Sequence, residues 1–285
     1  TSIKIFNKNL GYNPLFFSYP FGEYSLEQEK YISSKFSFAF GQHSGIIDIN
    51  KDNGQVEFNN TYIDIHTDMI INLSSVDVDL VKNRNFTVVV DAVNSTGGLA
   101  VPELLKKLGV NVIELYCNPN GEFPHNPEPL KENLKDLSEL VIKEKADLGI
   151  VVDPDVDRLA FVSENGEVFG EEYTLVACAD YFLKNNPGNT VSNLSSSRAL
   201  KDVTELNGCK HFFSAVGEVN VVEMMKEKNA VIGGEGNGGI ILPELHYGRD
   251  ALVGIALFLT YLSRLNISCS QLRSTYPNYF MSKKK

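Results

Sequence analysis

Short apolar runs that alternate with helical segments constrain the fold of this chain more than any other feature of its sequence. The run Phe86–Asp91 is β-branched and apolar and ends in a carboxylate, which is typical of a strand buried inside a sheet. Residues 110–116 and 148–152 have the same character. The segments between these runs, 99–108 and 130–145, have the apolar spacing of helices. Strands that alternate with helices of this length predict parallel βαβ units in an α/β layer fold.

The alternation begins again after Asn186-Pro187-Gly188, a group of residues that is typical of a domain boundary. Before it, the sequence predicts a hairpin around Asn165-Gly166 and a helix over 171–184. After it come predicted strands at 190–194, 211–215, 230–232 and 239–242 and predicted helices at 198–206, 218–227 and 249–265. We therefore predict two tandem α/β domains, residues 61–187 and 188–276, each with three layers and a mixed, largely parallel sheet. The second repeats the architecture of the first without repeating its sequence.

Length and composition agree with this organisation and exclude several classes of protein. A chain of 285 residues is long enough for about two domains, and 43% apolar with 22% charged residues excludes intrinsic disorder as the main state. The net charge of −10 and the lack of a basic stripe exclude a duplex nucleic-acid binder. The longest apolar run, residues 251–262, is too short to predict a membrane span. The four cysteines form no C-x-x-C pair, which indicates free thiols, so we predict a cytoplasmic protein.

Three aspartates directly after the predicted strand 148–152 form the strongest chemical signal in the sequence. In the hexapeptide 153–158 (DPDVDR) the carboxylates stand at alternate positions, so a turning loop brings them towards one point. Close carboxylates repel one another, and a hard divalent cation with oxygen ligands removes the repulsion. We therefore predict that Asp153, Asp155 and Asp157 bind Mg²⁺ and leave coordination positions for a phosphate. The guanidinium of Arg158 predicts a contact with that phosphate.

Three other interpretations fit parts of this loop. An EF-hand would place ligands at Asp153, Asp155, Asp157 and Glu164. However, its essential glycine position is occupied by Arg158, and the flanking segments are predicted strands. A phosphatase that forms an aspartyl-phosphate also has an Asp-x-Asp motif after an apolar strand, although Asp157 stands where such enzymes usually have a small or apolar residue. A solvated acidic turn is the third. The loop's place at the carboxyl end of an α/β strand, where ligands bind, favours the metal site.

A glycine-rich segment, residues 233–239 (GGEGNGG), follows the predicted strand 230–232. It contains a formal G-x-G-x-x-G, but a strand rather than a helix comes next, which excludes a dinucleotide-binding loop. The glycines predict a tight loop with Glu235 and Asn237 at its tip. A carboxylate and an amide so placed can bind vicinal hydroxyl groups of a sugar. A plain glycine-rich hairpin is the alternative.

The segment before the last long predicted helix carries further polar side chains. His246 and Arg249 stand near its N-terminus, where backbone N–H groups attract anions. We predict that both side chains contact the substrate through a phosphate group. Taken alone, the segment is also consistent with a structural role, in which Asp250 only stabilises the helix dipole.

Together, these motifs resemble those of the α-D-phosphohexomutase superfamily, which contains phosphoglucomutase, phosphomannomutase and phosphoglucosamine mutase. Residues 153–158 resemble the magnesium loop of that family, and residues 233–239 resemble its sugar-binding loop, with Asn237 where many members have serine. Residues 90–98 and 216–218 resemble segments of its second and third domains. The motifs occur in the family's order along most of the chain.

The resemblance implies four domains around a cleft and an exchange of phosphoryl groups. An enzyme phosphoserine would donate its phosphoryl group to a hexose phosphate, and the hexose 1,6-bisphosphate would return the other one. The implied function is the interconversion of hexose 6-phosphate and hexose 1-phosphate by a phosphoglucosamine mutase or a phosphomannomutase/phosphoglucomutase. Mg²⁺ on the three aspartates would neutralise the transferring group, Arg158 would hold the phosphate, and Glu235 and Asn237 would bind the sugar hydroxyls.

The resemblance also implies which domains are present. Residues 1–60 would be a remnant of the first domain and a linker, and residues 277–285 a linker towards the fourth. The family's serine loop, Thr-Ala-Ser-His-Asn-Pro, has no counterpart: Pro124 replaces the serine before His125, and Ser44 follows His43 in the wrong order. The nucleophile would therefore precede the first residue, and we expect this chain alone to be inactive. A non-catalytic module that binds sugar phosphates is the alternative function.

Overall fold

The computed structural model describes residues 16–18, 38–40, 46–48 and 61–279. The chain divides into two compact units, residues 1–64 and 65–285. In the first unit, strands β1 (Phe16–Ser18), β2 (Phe38–Phe40) and β3 (Ile46–Asp48) form a sheet. In this sheet β2 is parallel to β1 and antiparallel to β3. The predictions for the serine loop, for His43 and Ser44 and for residues 280–285 lie outside the described residues.

Two helices that the sequence analysis did not predict precede the first large sheet: α1 (Thr61–Ile71) and α2 (Val78–Asn83). Both mix β-branched, polar and charged residues, so no clear helical period is visible in their sequences. The start of α2 is fixed by Asp77, whose carboxylate accepts the Leu80 N–H at 3.0 Å.

The first large sheet contains β4 (Thr87–Asp91), β5 (Asn111–Leu115), β6 (Leu148–Val152) and β7 (Leu159–Ser163) in the spatial order β5-β4-β6-β7. The first three of these strands are parallel, and β7 is antiparallel to β6. Helix α3 (Gly97–Lys107) covers β4 and β5, and α4 (Lys135–Glu144) covers β4, β6 and β7. The predicted hairpin around Asn165-Gly166 is reduced to one bridge between Val162 and Val168.

The second large sheet repeats this architecture. After α5 (Glu171–Asn185) come β8 (Asn189–Asn193), α6 (Ala199–Leu206), β9 (His211–Ser214), α7 (Glu218–Lys228), β10 (Ala230–Glu235) and β11 (Gly239–Ile241). The spatial order is β9-β8-β10-β11, with three parallel strands and an antiparallel β11. In both sheets the strands thus occur in the order second, first, third, fourth. The predicted pair of tandem α/β units with largely parallel sheets is confirmed.

Two apolar helices, α5 and α8 (Ala251–Leu265), contact both sheets and form a shared layer between them. Helix α8 is buried from Ala251 to Ser263, as expected for a helix that is apolar on all sides. The ring of Phe258 stacks on that of Phe161 in β7 at 3.8 Å. Helix α9 (Cys269–Ser274) follows. Within the described residues, no helix is both long and apolar enough to cross a membrane.

Two of the predicted boundaries were wrong, and the second of these affects the site. The helix predicted over 130–145 is a 3₁₀ turn, Lys131–Asn133, followed by α4, because the backbone of Leu134 leaves the helical region (φ −101°, ψ 19°). Strand β10 continues to Glu235 instead of ending at residue 232, because β11 pairs with Gly233, Gly234 and Glu235. Glu235 therefore lies at the end of a strand rather than at the tip of a loop.

Candidate functional site

The two predicted binding loops occupy equivalent places in the two sheets. Residues 153–158 connect β6 to β7, and residues 236–238 connect β10 to β11, each time between the third strand and the antiparallel fourth strand. The loops meet where the Leu159 N–H donates to the Gly238 carbonyl oxygen at 3.2 Å. Gly238 has φ +90°, and a Cβ there would lie 2.2 Å from the Leu159 carbonyl oxygen. Only glycine fits this contact.

The aspartate loop (residues 153–158) is shaped by its own first residue. Asp153 Oδ1 accepts the N–H groups of Asp157 at 3.0 Å and Arg158 at 2.9 Å. Val156 has φ +62°, a left-handed conformation that is unfavourable for a β-branched residue. Its carbonyl oxygen accepts the N–H of Ala251, the first residue of α8, at 3.0 Å. A strained turn that neighbouring contacts hold in place is typical of a functional site.

The segment before α3 holds the aspartate loop from the other side. The hydroxyl groups of Ser95 and Thr96 both donate to the Pro154 carbonyl oxygen, at 2.7 and 2.8 Å. Behind them, a Cβ on Gly97 would lie 2.6 Å from Val152 Cγ2 and 3.5 Å from Val156 Cγ2. The glycine of the predicted turn therefore allows α3 to start directly against the loop.

The three predicted metal ligands converge. One carboxylate oxygen from each of Asp153, Asp155 and Asp157 lies within 4.8 Å of the others. Asp155 is exposed and Asp153 is buried, and Asp157 Oδ1 is a buried oxygen without a hydrogen-bond partner. Burial raises the pKa of Asp153 to about 8, and the neighbouring carboxylates add to this effect. Crowded, partly buried carboxylates with an unpartnered oxygen fit a hard divalent cation such as Mg²⁺.

Arg158 lies beside these carboxylates. Its Nε is 3.5 Å from Asp153 Oδ2 and 3.8 Å from Asp157 Oδ1, and its Nη1 is 3.4 Å from Glu128 Oε1. These distances exceed those of strong charge-assisted hydrogen bonds, which are about 2.7–2.9 Å. The guanidinium is therefore close to the candidate metal site but makes no short ion pair with it. This position is suitable for binding a phosphate, and the phosphate contact stays a prediction.

Arg249 has a different environment from the one predicted for it. Its guanidinium is 13% exposed and donates to Asp157 Oδ2 and, at 2.7 Å, to Glu235 Oε2. Its Nε lies 3.5 Å from Glu218 Oε2, and its backbone N–H donates to Glu218 Oε1 at 3.0 Å. The side chain thus joins the aspartate loop to the end of β10. Helix α8 starts only at Ala251, so Arg249 precedes the helix instead of belonging to it.

The predicted sugar ligands are partly engaged within the protein. Glu235 is 6% exposed, and its Oε1 accepts the Asn193 amide N–H at 2.6 Å while Oε2 accepts Arg249. The side-chain oxygen of Asn237 accepts the Gly239 N–H at 3.2 Å and closes the turn. Sequence reasoning did not identify Asn193, which comes from the end of β8, because only the parallel pairing of β8 with β10 brings it next to Glu235.

His246 lies in a cluster with Asp250 and His66. The Nε2 atoms of His66 and His246 lie 2.7 and 3.1 Å from Asp250 Oδ2, and Asp250 Oδ1 caps α8 by accepting the Leu252 N–H at 2.7 Å. The three side chains have the types and spacing of metal ligands. However, the Gly248 N–H donates to His246 Nδ1 at 3.0 Å, so the ring proton is on Nε2, which donates to Asp250.

This arrangement fixes Asp250 as the helix cap and favours the structural interpretation of that residue. The hydrogen bond to Asp250 raises the pKa of His246 above its ordinary value. A substrate contact for His246 stays a prediction.

Two family models match the chain next to each other: phosphoglucomutase/phosphomannomutase alpha/beta/alpha domain II over residues 64–166 and domain III over residues 170–279. The chain belongs to the α-D-phosphohexomutase superfamily. The two matches place α5 with domain III of the phosphohexomutases. The boundary predicted at 187/188 stays a prediction.

The relatives of this phosphohexomutase chain are named for several different substrates. A phosphoglucomutase/phosphomannomutase of Thermococcus kodakarensis is 38% identical over 212 residues, which cover 74% of this chain and 46% of that protein. A probable phosphoglucosamine mutase of Methanopyrus kandleri is 33% identical over 228 residues, covering 79% of this chain and 49% of that protein. The chain therefore spans about half the length of the curated relatives that it matches.

Solved structures of phosphohexomutases have the same fold. A phosphoglucomutase/phosphomannomutase family protein of Burkholderia thailandensis is similar with a TM-score of 0.63 and 28% identity, over 70% of this chain and 46% of that one. An Aspergillus fumigatus N-acetylphosphoglucosamine mutase in complex with GlcNAc-6P and magnesium is similar with a TM-score of 0.53 and 13% identity, over 78% of this chain and 51% of that one. The second likeness shows the fold alone.

Proposed function

We propose that this chain provides the metal-binding and sugar-binding domains of an enzyme that interconverts hexose 6-phosphate and hexose 1-phosphate. One observation carries the proposal: the aspartate loop and the turn 236–238 are joined by the Leu159–Gly238 hydrogen bond and by the Arg249 side chain. A cation-binding group and a hydroxyl-binding group that share one surface are what a sugar phosphate requires. The superfamily membership supports the same reaction class.

The aspartate loop would act on the phosphoryl group. Asp153, Asp155 and Asp157 would hold Mg²⁺. Asp157 Oδ1 is buried and has no hydrogen-bond partner, so a bound cation would satisfy it. When bound, the cation neutralises charge on the transferring phosphoryl group. Arg158, which has no short ion pair to break, would bind a phosphate oxygen.

The second loop would hold the sugar. Glu235 would bind a hydroxyl group while it keeps Asn193 and Arg249, because each carboxylate oxygen can accept more than one hydrogen bond. Asn237 would bind the neighbouring hydroxyl through its amide group. His246 and Arg249 would contact the substrate at the start of α8, and Arg249 in addition holds the two loops together.

The substrate we propose first is a hexosamine phosphate. The Methanopyrus relative, which is 33% identical to this chain, is named a probable phosphoglucosamine mutase. Mannose and glucose phosphates are the alternatives, since the Thermococcus relative carries those names. The reaction would pass through an enzyme phosphoserine and a hexose 1,6-bisphosphate. A cytoplasmic location stays a prediction.

The test compares Asp155→Asn with Asp79→Asn. Asp155 is the exposed member of the metal cluster, and Asp79 is an exposed carboxylate in the first turn of α2. We expect Asp155→Asn to weaken Mg²⁺ binding to this chain and to abolish Mg²⁺-dependent mutase turnover when it is introduced into the protein with its serine loop. Asp79→Asn should leave both unchanged. Full turnover by the Asp155 variant would refute the proposal, and hexose-phosphate binding without any phosphoryl exchange would favour the non-catalytic module.

A further inference from the structure

A proline-rich loop, residues 118–129, lies over the carboxyl end of the first large sheet. The turn after β4 binds one end of this loop through Asn94, whose amide donates to the Glu122 carbonyl oxygen at 3.0 Å. The Asn94 carbonyl oxygen accepts the Gly121 N–H, also at 3.0 Å. At its other end the loop carries Glu128, whose carboxylate is 3.4 Å from Arg158 Nη1. The loop thus extends from the β4 turn to the aspartate loop.

His125 joins the middle of this loop to the sheet. Its Nε2 lies 2.9 Å from Asp91 Oδ2, and its Nδ1 lies 2.8 Å from the Asn126 carbonyl oxygen. A carbonyl oxygen and a carboxylate oxygen can only accept hydrogen bonds, so each ring nitrogen must carry a proton. The geometry therefore requires the imidazolium form of His125. Asp91, the last residue of β4, is 1% exposed, and its other oxygen accepts the Val93 N–H at 3.0 Å.

The groups around His125 favour its positive charge. Besides Asp91, the Tyr116 ring approaches edge-on, with ring centroids 5.9 Å apart, and the Tyr116 hydroxyl donates to Asp136 Oδ2 at 2.7 Å. The hydrogen bond to Asp91 is the main cause that raises the pKa of His125 above its ordinary value; burial acts against it, and the Asp136 charge adds to it. The imidazole side chain is 14% exposed, so solvent screens the pair only in part.

We propose that His125 is a positioning residue whose imidazolium fastens the proline-rich loop to the end of β4 and thereby places Glu128 against Arg158. The part of this inference that concerns Arg158 rests on the proposed function, whereas the attachment of the loop does not. Both ring nitrogens already have partners, so His125 has no free atom for proton transfer to a substrate. This excludes a catalytic acid–base role in the same conformation.

The attachment depends on pH in a defined direction. A group whose folded-state pKa is raised contributes stability that is complete below its unfolded pKa and is lost as the pH rises through its folded pKa. The loop should therefore be held most firmly at mildly acidic pH. It should loosen as the pH increases beyond the folded-state pKa of His125.

The first experiment needs no variant. Nitrogen-15 NMR of the imidazole side chains reports the protonation of each ring nitrogen directly. We expect both nitrogens of His125 to be protonated at pH 7, with a midpoint above the ordinary value of about 6.5 for histidine. A neutral His125 ring at pH 7 would overturn the proposal.

The second experiment measures hydrogen exchange at Gly121, Glu128 and Leu130, corrected for the intrinsic effect of pH. His125→Leu removes both hydrogen bonds, and we expect protection of these amides to fall about tenfold or more. His125→Gln keeps an N–H group for Asp91 without the charge, so it should restore part of the protection and abolish its pH dependence. His66→Gln, a change in the other histidine–aspartate cluster, should leave the loop unchanged.

Two further outcomes separate the attachment from its consequence. We expect the Arg158 Nε resonance to shift in His125→Leu and to return towards its wild-type position in His125→Gln. Wild-type protection of the loop in His125→Leu would refute the attachment, and an unchanged Arg158 resonance would refute the placement of Glu128. Because neither readout requires turnover, a chain that passes these tests and lacks mutase activity would contradict only the proposed function.

Discussion

The two loops at the centre of the site occupy the same place in two sheets of the same topology, yet they are built in opposite ways. The aspartate loop uses charged side chains: its carboxylates converge, and Asp153 folds the backbone around itself. The turn 236–238 uses the absence of a side chain, since Gly238 has φ +90° and a close backbone neighbour in Leu159. Asn237 is the side chain at its centre.

This difference shows how a repeated architecture can present two kinds of surface. A connection between a parallel strand and an antiparallel edge strand can present side chains to a ligand or bring its backbone close to a neighbouring loop. Here the charged loop requires strain at Val156 and support from Ser95 and Thr96. In the glycine turn, Gly238 has no side chain, so its backbone can contact Leu159 at the end of the charged loop. Arg249 then balances the excess negative charge of both.

The largest effect should come from Arg249. Arg249→Met removes the cation shared by Asp157, Glu235 and Glu218, and leaves the buried Glu235 and the partly buried Asp157 and Glu218 without that partner. Breaking a buried ion pair on one side costs about 3–5 kcal/mol. We therefore expect the free energy of unfolding, measured by urea denaturation without Mg²⁺, to fall by about that amount.

The matched control is Arg198→Met, which removes an arginine that is 70% exposed and pairs with Asp202. An exposed ion pair contributes about 0–1 kcal/mol. If the two variants lose equal stability, the view that Arg249 is an internal link between the loops is wrong.

The second prediction concerns the backbone contact between the loops. Gly238→Ala places a Cβ at φ +90° and 2.2 Å from the Leu159 carbonyl oxygen, and should cost about 2–4 kcal/mol. Gly121→Ala is the control, because Gly121 has φ +78° but nothing within 4 Å of the added Cβ. It should cost only about 1 kcal/mol. Thermal unfolding of both variants measures the difference in stability. Equal losses of stability would show that the backbone contact between Gly238 and Leu159 is not tight.

The third prediction concerns the charge of the aspartate loop. Asp153 has a pKa raised to about 8, so without a divalent cation its contribution to stability is complete below the ordinary carboxyl pKa and is lost as the pH rises towards about 8. Mg²⁺ at about 100 times its Kd should add about 2.7 kcal/mol. The Mg²⁺-induced rise in Tm should be larger at about pH 8.5 than at about pH 6. At the higher pH fewer protons must leave the Asp153 carboxyl group when Mg²⁺ binds.

Asp153→Asn should flatten this pH dependence and remove most of the effect of Mg²⁺. Its side-chain oxygen can still accept the N–H groups of Asp157 and Arg158, so the turn should keep its shape. A Tm of the unsubstituted chain that does not respond to Mg²⁺ at either pH would contradict the metal site.

Much of this fold could be predicted from local patterns, and the failures have physical causes. Strands β4 and β6 are buried on both faces, so their sequences are continuous apolar runs that are easy to recognise. Helix α1 lacks such a pattern, because its less exposed face includes the polar His66 and Thr67 while the apolar Ile65 and Met69 are exposed. The end of β10 depends on its pairing with β11, which no property of the glycine-rich segment alone reveals.

The candidate site was predictable as a set of residues but not as a set of contacts. The spacing of Asp153, Asp155 and Asp157 carries its own geometry, because adjacent residues of one turn must lie close together. Arg249 does not: its partners come from the aspartate loop, β10 and the start of α7, and only the tertiary fold brings them together. A phosphate contact was the natural prediction for an arginine whose carboxylate partners are distant in sequence.

The smallest predicted effect tests whether the aspartate loop needs its outer support. Ser95→Ala and Thr96→Val each remove one of the two hydroxyl groups that donate to the Pro154 carbonyl oxygen. A single hydrogen bond contributes about 0.5–1.5 kcal/mol, and here the remaining hydroxyl still satisfies the carbonyl. Each single change should therefore cost about 0.5 kcal/mol.

The double variant should cost more than the sum of the two, because the carbonyl then loses both donors. A double-mutant cycle by urea denaturation measures this coupling, and the Mg²⁺ affinity of the double variant reports whether the loop has changed shape. Additive losses with unchanged Mg²⁺ affinity would mean that Asp153 and the Ala251 N–H hold the loop by themselves. The aspartate loop would then be as self-contained as the glycine turn, and the contrast between them would lie in charge alone.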